Sequence, residues 1–160
     1  MLSFIRHIIV RRSAAGALLL GTAFAGCAAQ AATYTMYRDP GCGCCLEWAE
    51  HVEQGASHSD DGHHVTSIDS ADMAAIKQAN NVPRALWSCH TTLVDGYVIE
   101  GHVPAADIAR LLAERPKGVT GLAVPGMPLG SPGMEAGGRM QPYQVIAFGP
   151  AGVSVFSTYN

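Results

Sequence analysis

The sequence predicts an α/β fold, a mixed sheet flanked by helices and completed by a C-terminal Gly/Pro-rich loop and hairpin. Three observations carry that expectation. Runs rich in β-branched and aromatic residues alternate with amphipathic helical stretches in the order β, α, β, α, β, β, α. An Asp-Gly pair joins two β-type runs. A cysteine run falls where the first strand gives way to the first helix.

Thr33 to Arg38 reads as the first strand, and Asp39-Pro40-Gly41 forces a turn after it. From Cys45 onward, Leu46, Ala49 and Val52 recur at helical spacing with Glu47, Glu50 and Glu53 opposite, until Gly55 stops the helix. Ser57 to His64 is polar and loop-like, and Val65 to Asp69 is a short strand. Ser70 caps a second helix that has Asp72 in its first turn, Met73 and Ile76 on its inner face and its end near Asn80-Asn81. Thr91 to Val94 and Tyr97 to Glu100 flank Asp95-Gly96, which suits a type I′ hairpin turn. Pro104 opens a last helix with Ile108, Leu111 and Leu112 as its buried stripe, and Pro116 ends it. Gly118 to Gln141 is a Gly/Pro-rich wrap, and Tyr143 to Phe148 with Val153 to Phe156 forms a second hairpin. Trp48 and Trp87 read as packing residues.

The first 31 residues stand apart. Met1 to Arg12 carries Arg6, Arg11 and Arg12, no acidic residue precedes Asp39, and Ala14 to Ala25 is a small, apolar run. A basic start, an apolar core of ~7–15 residues and the Ala29-Gln30-Ala31 exit describe a cleaved secretory signal over residues 1–31. The run is short of the ~20 apolar residues a membrane span needs. Phe24-Ala25-Gly26-Cys27 offers a second reading, a lipidated Cys27, and Arg11-Arg12 a weak twin-arginine signal. Residues 33–160 then form one domain, within the ~100–150 residues usual for one. Against all 13 acidic residues it keeps seven basic ones, a formal charge of about −6 rather than −3, which argues against nucleic-acid binding.

Export predicts an oxidising setting, where the four remaining cysteines by default form two disulfides. Their pattern points elsewhere. Cys42 and Cys45 have the C-x-x-C spacing of a dithiol at a helix start, whose dipole stabilises thiolate. Cys44 inside that motif invites mispairing in a dithiol enzyme, whereas a bound cation neutralises crowded thiolates. Soft thiolates suit Cu(I), zinc and iron–sulfur clusters, and a compact C-x-C-C run fits a polynuclear Cu(I)–thiolate cluster best. The element order matches the thioredoxin plan, in which a cis-proline precedes the hairpin and packs on the C-x-x-C pair. Here that place falls to Cys89-His90, so Cys89 should face Cys42, Cys44 and Cys45 with an imidazole beside them. His90 and, as a thioether in the loop, Met127 complete the expected copper ligands, with Met134 weighed beside Met127. His102, at the hairpin's end, is read as structural at least as readily as a ligand, and His63-His64 as a solvated pair. The alternative is a thiol–disulfide oxidoreductase for which metal is incidental. A third reading is a domain merely stapled by disulfides.

These residues together resemble the CopG-type copper-resistance proteins. The resemblance is carried by Tyr37 to Cys45, Ser88-Cys89-His90-Thr91, Val94 to Pro104 and Gly121 to Pro128, and spans nearly the whole mature chain. It implies a periplasmic protein of thioredoxin-like fold that takes part in copper resistance. It also implies Cu(I) held by Cys42, Cys44, Cys45 and Cys89, and dealings with other copper-handling proteins or an exporter.

Overall fold

The computed structural model describes residues 32–55 and 63–160. The signal-sequence reading, Cys27 and most of the polar loop after Gly55 lie outside these residues. The chain runs β1 (Thr33–Arg38), α1 (Gly43–Gly55), β2 (His64–Asp69), α2 (Met73–Ala79), a 3-10 turn (Arg84–Leu86), β3 (His90–Val94), β4 (Tyr97–Glu100), α3 (Ala105–Glu114), β5 (Gly121–Ala123), β6 (Tyr143–Gly149) and β7 (Gly152–Tyr159). The seven strands make one mixed sheet in the order β2-β1-β3-β4-β5-β6-β7. β1 pairs in parallel with β2 across the α1 crossover, and β4 with β5 across α3; the other neighbours are antiparallel. The α/β class and the mixed sheet are as expected.

The first hairpin forms on the predicted residues. Asp95 at φ 49° and Gly96 at φ 82° take the two left-handed positions of a type I′ turn, so Val94 pairs with Tyr97 and Thr91 with Glu100. Three details depart from the periodicity. α1 buries Cys45, Trp48 and Val52 while Leu46 is exposed, because the indole and a cysteine occupy the core face. Asp72, rather than Ser70, caps α2 by accepting the Ala75 N–H at 2.9 Å, and the buried residue of that helix is Lys77. β5 is a strand within the Gly/Pro-rich wrap; three residues are too few to show a period.

The core packs α1 and α3 on the sheet through Tyr34, Met36, Trp48, Val52, Ile99, Ile108, Leu111 and Leu122, all essentially shielded from water. The Trp48 indole N–H donates to Val103 O at 2.8 Å, which leaves no buried polar atom on that ring unpaired. No helix among the described residues is long and apolar enough to cross a membrane.

Candidate metal centre

The cysteine loop is held from below by Arg38, the last residue of β1. Its guanidinium donates to the carbonyls of Asp39, Pro40 and Cys42 at 3.2, 3.2 and 3.3 Å and pairs with Asp69 at 2.8 Å. Arg's planar fork suits such convergent acceptors. Cys42 thereby stands just before α1, with Cys44 and Cys45 in its first turn. Cys89 arrives from the far side, on the segment leading into β3.

The sulfurs converge. Cys42 and Cys45 are joined as a disulfide, and Cys44 and Cys89 are free thiols. Cys44 Sγ lies 3.6 Å from Cys42 Sγ, and Cys89 Sγ lies 3.7 Å from Cys45 Sγ. All four Sγ atoms are within 4.8 Å of one another. Two imidazoles close a second group on Cys89: His90 Nδ1 at 3.3 Å and His102 Nε2 at 2.9 Å from its sulfur. Both rings are fully buried.

The two histidines differ in what fixes them. His102 Nδ1 lies 2.8 Å from the Pro132 carbonyl, which can only accept, so Nδ1 carries the proton and Nε2 presents its lone pair to Cys89. Burial lowers the His102 pKa and keeps the ring neutral. A ring nitrogen oriented by a hydrogen bond to its partner nitrogen is how metal-binding imidazoles are usually held. His90 packs against Trp48 with ring centroids 4.4 Å apart and the planes tilted by 45°, and its Nε2 is a buried polar atom without a partner. Burial first, then His102 and Lys77, pushes the His90 pKa well down, so this ring too is neutral. Cys89 is pushed up to about 12, by burial first and then by Cys44 beside it, so it is a neutral thiol that donates to His102 Nε2.

The Gly/Pro-rich wrap roofs the centre. Ser131 and Pro132 are buried, and Gly133, at φ +79°, lies so close to α1 that a Cβ there would stand 2.7 Å from Cys44 O and from Trp48 N. Met134 is half-buried, and Met127 is exposed at 52 %. Ser88 Oγ donates to the carbonyl of Gly126, tying the Cys89 segment to the same wrap. His63 packs on Tyr34, and His64 faces Glu53 at 3.5 Å. Since His64 pairs with Thr33, that pair sits at the end of β1 opposite the cysteines.

The sequence-predicted Cys42, Cys44, Cys45, Cys89 and His90 are thus brought together, and His102 joins them. Its signal lay in the hairpin register. A ladder pairing Thr91 with Glu100 and continuing through the Gly101 N–H to His90 O contact at 2.9 Å reaches Cys89 opposite His102 one step later. As a donor set, crowded sulfurs with neutral imidazoles fit a soft or borderline metal ion.

No curated protein matches the chain. Residues 86–134, which include Cys89, His90 and His102, match the family described as "Protein of unknown function, DUF411". Two solved structures are similar over most of the chain. "Copper resistance protein copG- Form 2" is 43% identical, with a TM-score of 0.74, covering 82% of this chain and 100% of that one. "Copper resistance protein copG- Form 1" is 44% identical, with a TM-score of 0.71, covering 79% and 96%. Identity at that level across the whole length of a solved relative makes this chain a member of the CopG copper-resistance protein family.

Proposed function

We propose that this chain is an exported, periplasmic copper-binding protein that contributes to copper resistance by holding Cu(I) in a cluster bridged by the thiolates of Cys42, Cys44, Cys45 and Cys89. The observation that carries the reading is the convergence of four sulfurs within 4.8 Å. Thiolates so close repel one another unless cations lie between them, and soft sulfur prefers Cu(I). The names of the two solved relatives support copper over zinc. His90 and His102 adjoin the cluster through Cys89, and the exposed thioether of Met127 is put forward as a further ligand. We extend the proposal to a leader over residues 1–31 and a single thioredoxin-like domain over 33–160. The β2-β1-β3-β4 order and the α1 crossover support the latter. Transfer of copper to other copper-handling proteins or an exporter belongs to the same reading.

The disulfide between Cys42 and Cys45 favours a second activity at the same place, thiol–disulfide exchange. Cys44→Ser separates the two. Copper and thiols are to be counted on one anaerobic, reduced sample. If copper is the function, this variant loses most of its bound copper and keeps the Cys42–Cys45 dithiol. A variant with full copper content and strong insulin reduction would sink the copper reading.

A further inference from the structure

Beneath the Cys89–His90 pair lies a buried ion pair for which the copper reading has no use so far. Glu100 ends β4 with its side chain fully enclosed, and Lys77 of α2 is 4% exposed. Lys77 Nζ donates to Glu100 Oε1 at 2.6 Å and to Thr91 Oγ1 at 3.1 Å. The same Oε1 accepts the Ser88 N–H at 2.6 Å, and Oε2 accepts the Thr91 hydroxyl at 2.7 Å. Ser88 directly precedes Cys89, and Thr91 directly follows His90. One carboxylate therefore grips both ends of the dipeptide.

Stability alone does not account for this arrangement. Burying two charges costs several kcal/mol per ion, and apolar side chains of like volume often replace such pairs without loss. The carboxylate supplies direction instead. The β1–β3 ladder ends at Arg38 and His90, so the Ser88 amide has no strand partner, and Glu100 provides its acceptor. Lys77 neutralises that acceptor and carries the hold across to α2. The Glu100 side chain thus holds the Ser88 amide before the Cys89–His90 pair and the Thr91 hydroxyl after it, on either side of a cysteine whose sulfur must meet Cys45 and His102.

We propose that Glu100 and Lys77 are positioning residues for the metal centre, fixing the Ser88–Thr91 backbone so that Cys89 Sγ stands against Cys45 and His102. The inference rests on the copper reading for its binding readout, though not for its geometric one. In the full chain, K77M/E100L removes both charges together and leaves neither unpaired. It should keep the parental circular dichroism while Cu(I) affinity, measured by competition with a Cu(I)-selective chelator, falls about tenfold or more. If the network acts through Cys89, the same pair of substitutions costs nothing further in a Cys89→Ser background. A folded K77M/E100L protein with parental affinity, or an equal loss in both backgrounds, overturns the proposal. Should that variant not fold, Glu100→Gln carries the test through alkylation of the reduced, metal-free protein. Cys89 should then react several-fold faster with Cys44 unchanged, and unchanged rates at both thiols overturn the proposal. A reduced parent protein that binds no Cu(I) defeats the copper reading alone, because the alkylation comparison still decides whether Glu100 positions Cys89.

Discussion

His102 and Cys89 share one proton-bearing contact, and that contact sets how the centre answers to pH. With Nδ1–H committed to Pro132 O, Nε2 accepts from a thiol that burial has pushed up to about 12. A metal ion taking the sulfur must displace the thiol's proton. Below that pKa the proton competes at its strongest, so apparent Cu(I) affinity should rise with pH through the neutral range. The slope should be shallower in Cys89→Ser, and equal slopes would disprove the coupling. His102→Gln should lower affinity about 10–100-fold at fixed pH, the usual loss when a group that orients a metal ligand through a hydrogen bond is removed. The thiols were legible one by one, since C-x-C-C is a local pattern. His102 has no such local signal, because Cys89 is 13 residues away across a hairpin and the ladder register joins them.

At the scale of elements, the first turn of α1 carries two of the four sulfurs and shares a third with the loop before it by way of a disulfide. Of these four cysteines, Cys44 and Cys89 retain their thiols in that oxidised form. Copper capacity should therefore be low in the oxidised protein and rise on reduction, which metal analysis before and after treatment with a phosphine would show. Equal capacity in both forms would leave the cluster without its proposed ligands. The elements themselves were largely readable: β1, the type I′ hairpin and α3 fall where period and turn chemistry put them. The inner faces of α1 and α2 were not. Trp48 and Cys45 took the core side that Leu46 had been expected to hold, and Lys77 is buried only because Glu100 reaches it from 23 residues further on. A helical period cannot report a partner on another element.

Across the whole molecule, the second hairpin is clasped to α3 by one carboxylate. Asp107 accepts the hydroxyls of Ser157 and Tyr159, the latter at 2.7 Å, while Arg110 donates to Phe156 O at 2.9 Å and covers the Phe156 ring. Asp107→Ala takes the charged acceptor from two half-buried hydroxyls and should cost about 1–3 kcal/mol, read as a lowered unfolding midpoint in urea. Copper affinity should hardly change, since none of these residues touches the centre. The wrap between the hairpins behaves differently. Where it meets α1, Gly133 leaves no room for even one methyl group beside Cys44 O and Trp48 N. The neighbouring Pro132 carbonyl, which decides which nitrogen of His102 is free, is thus placed by an atom that is not there. Adding that atom works as a lever. Gly133→Ala should lift the roof, letting the imidazole turn over, so that thermal stability and Cu(I) affinity decline together. In Asp107→Ala and His102→Gln the two should part company.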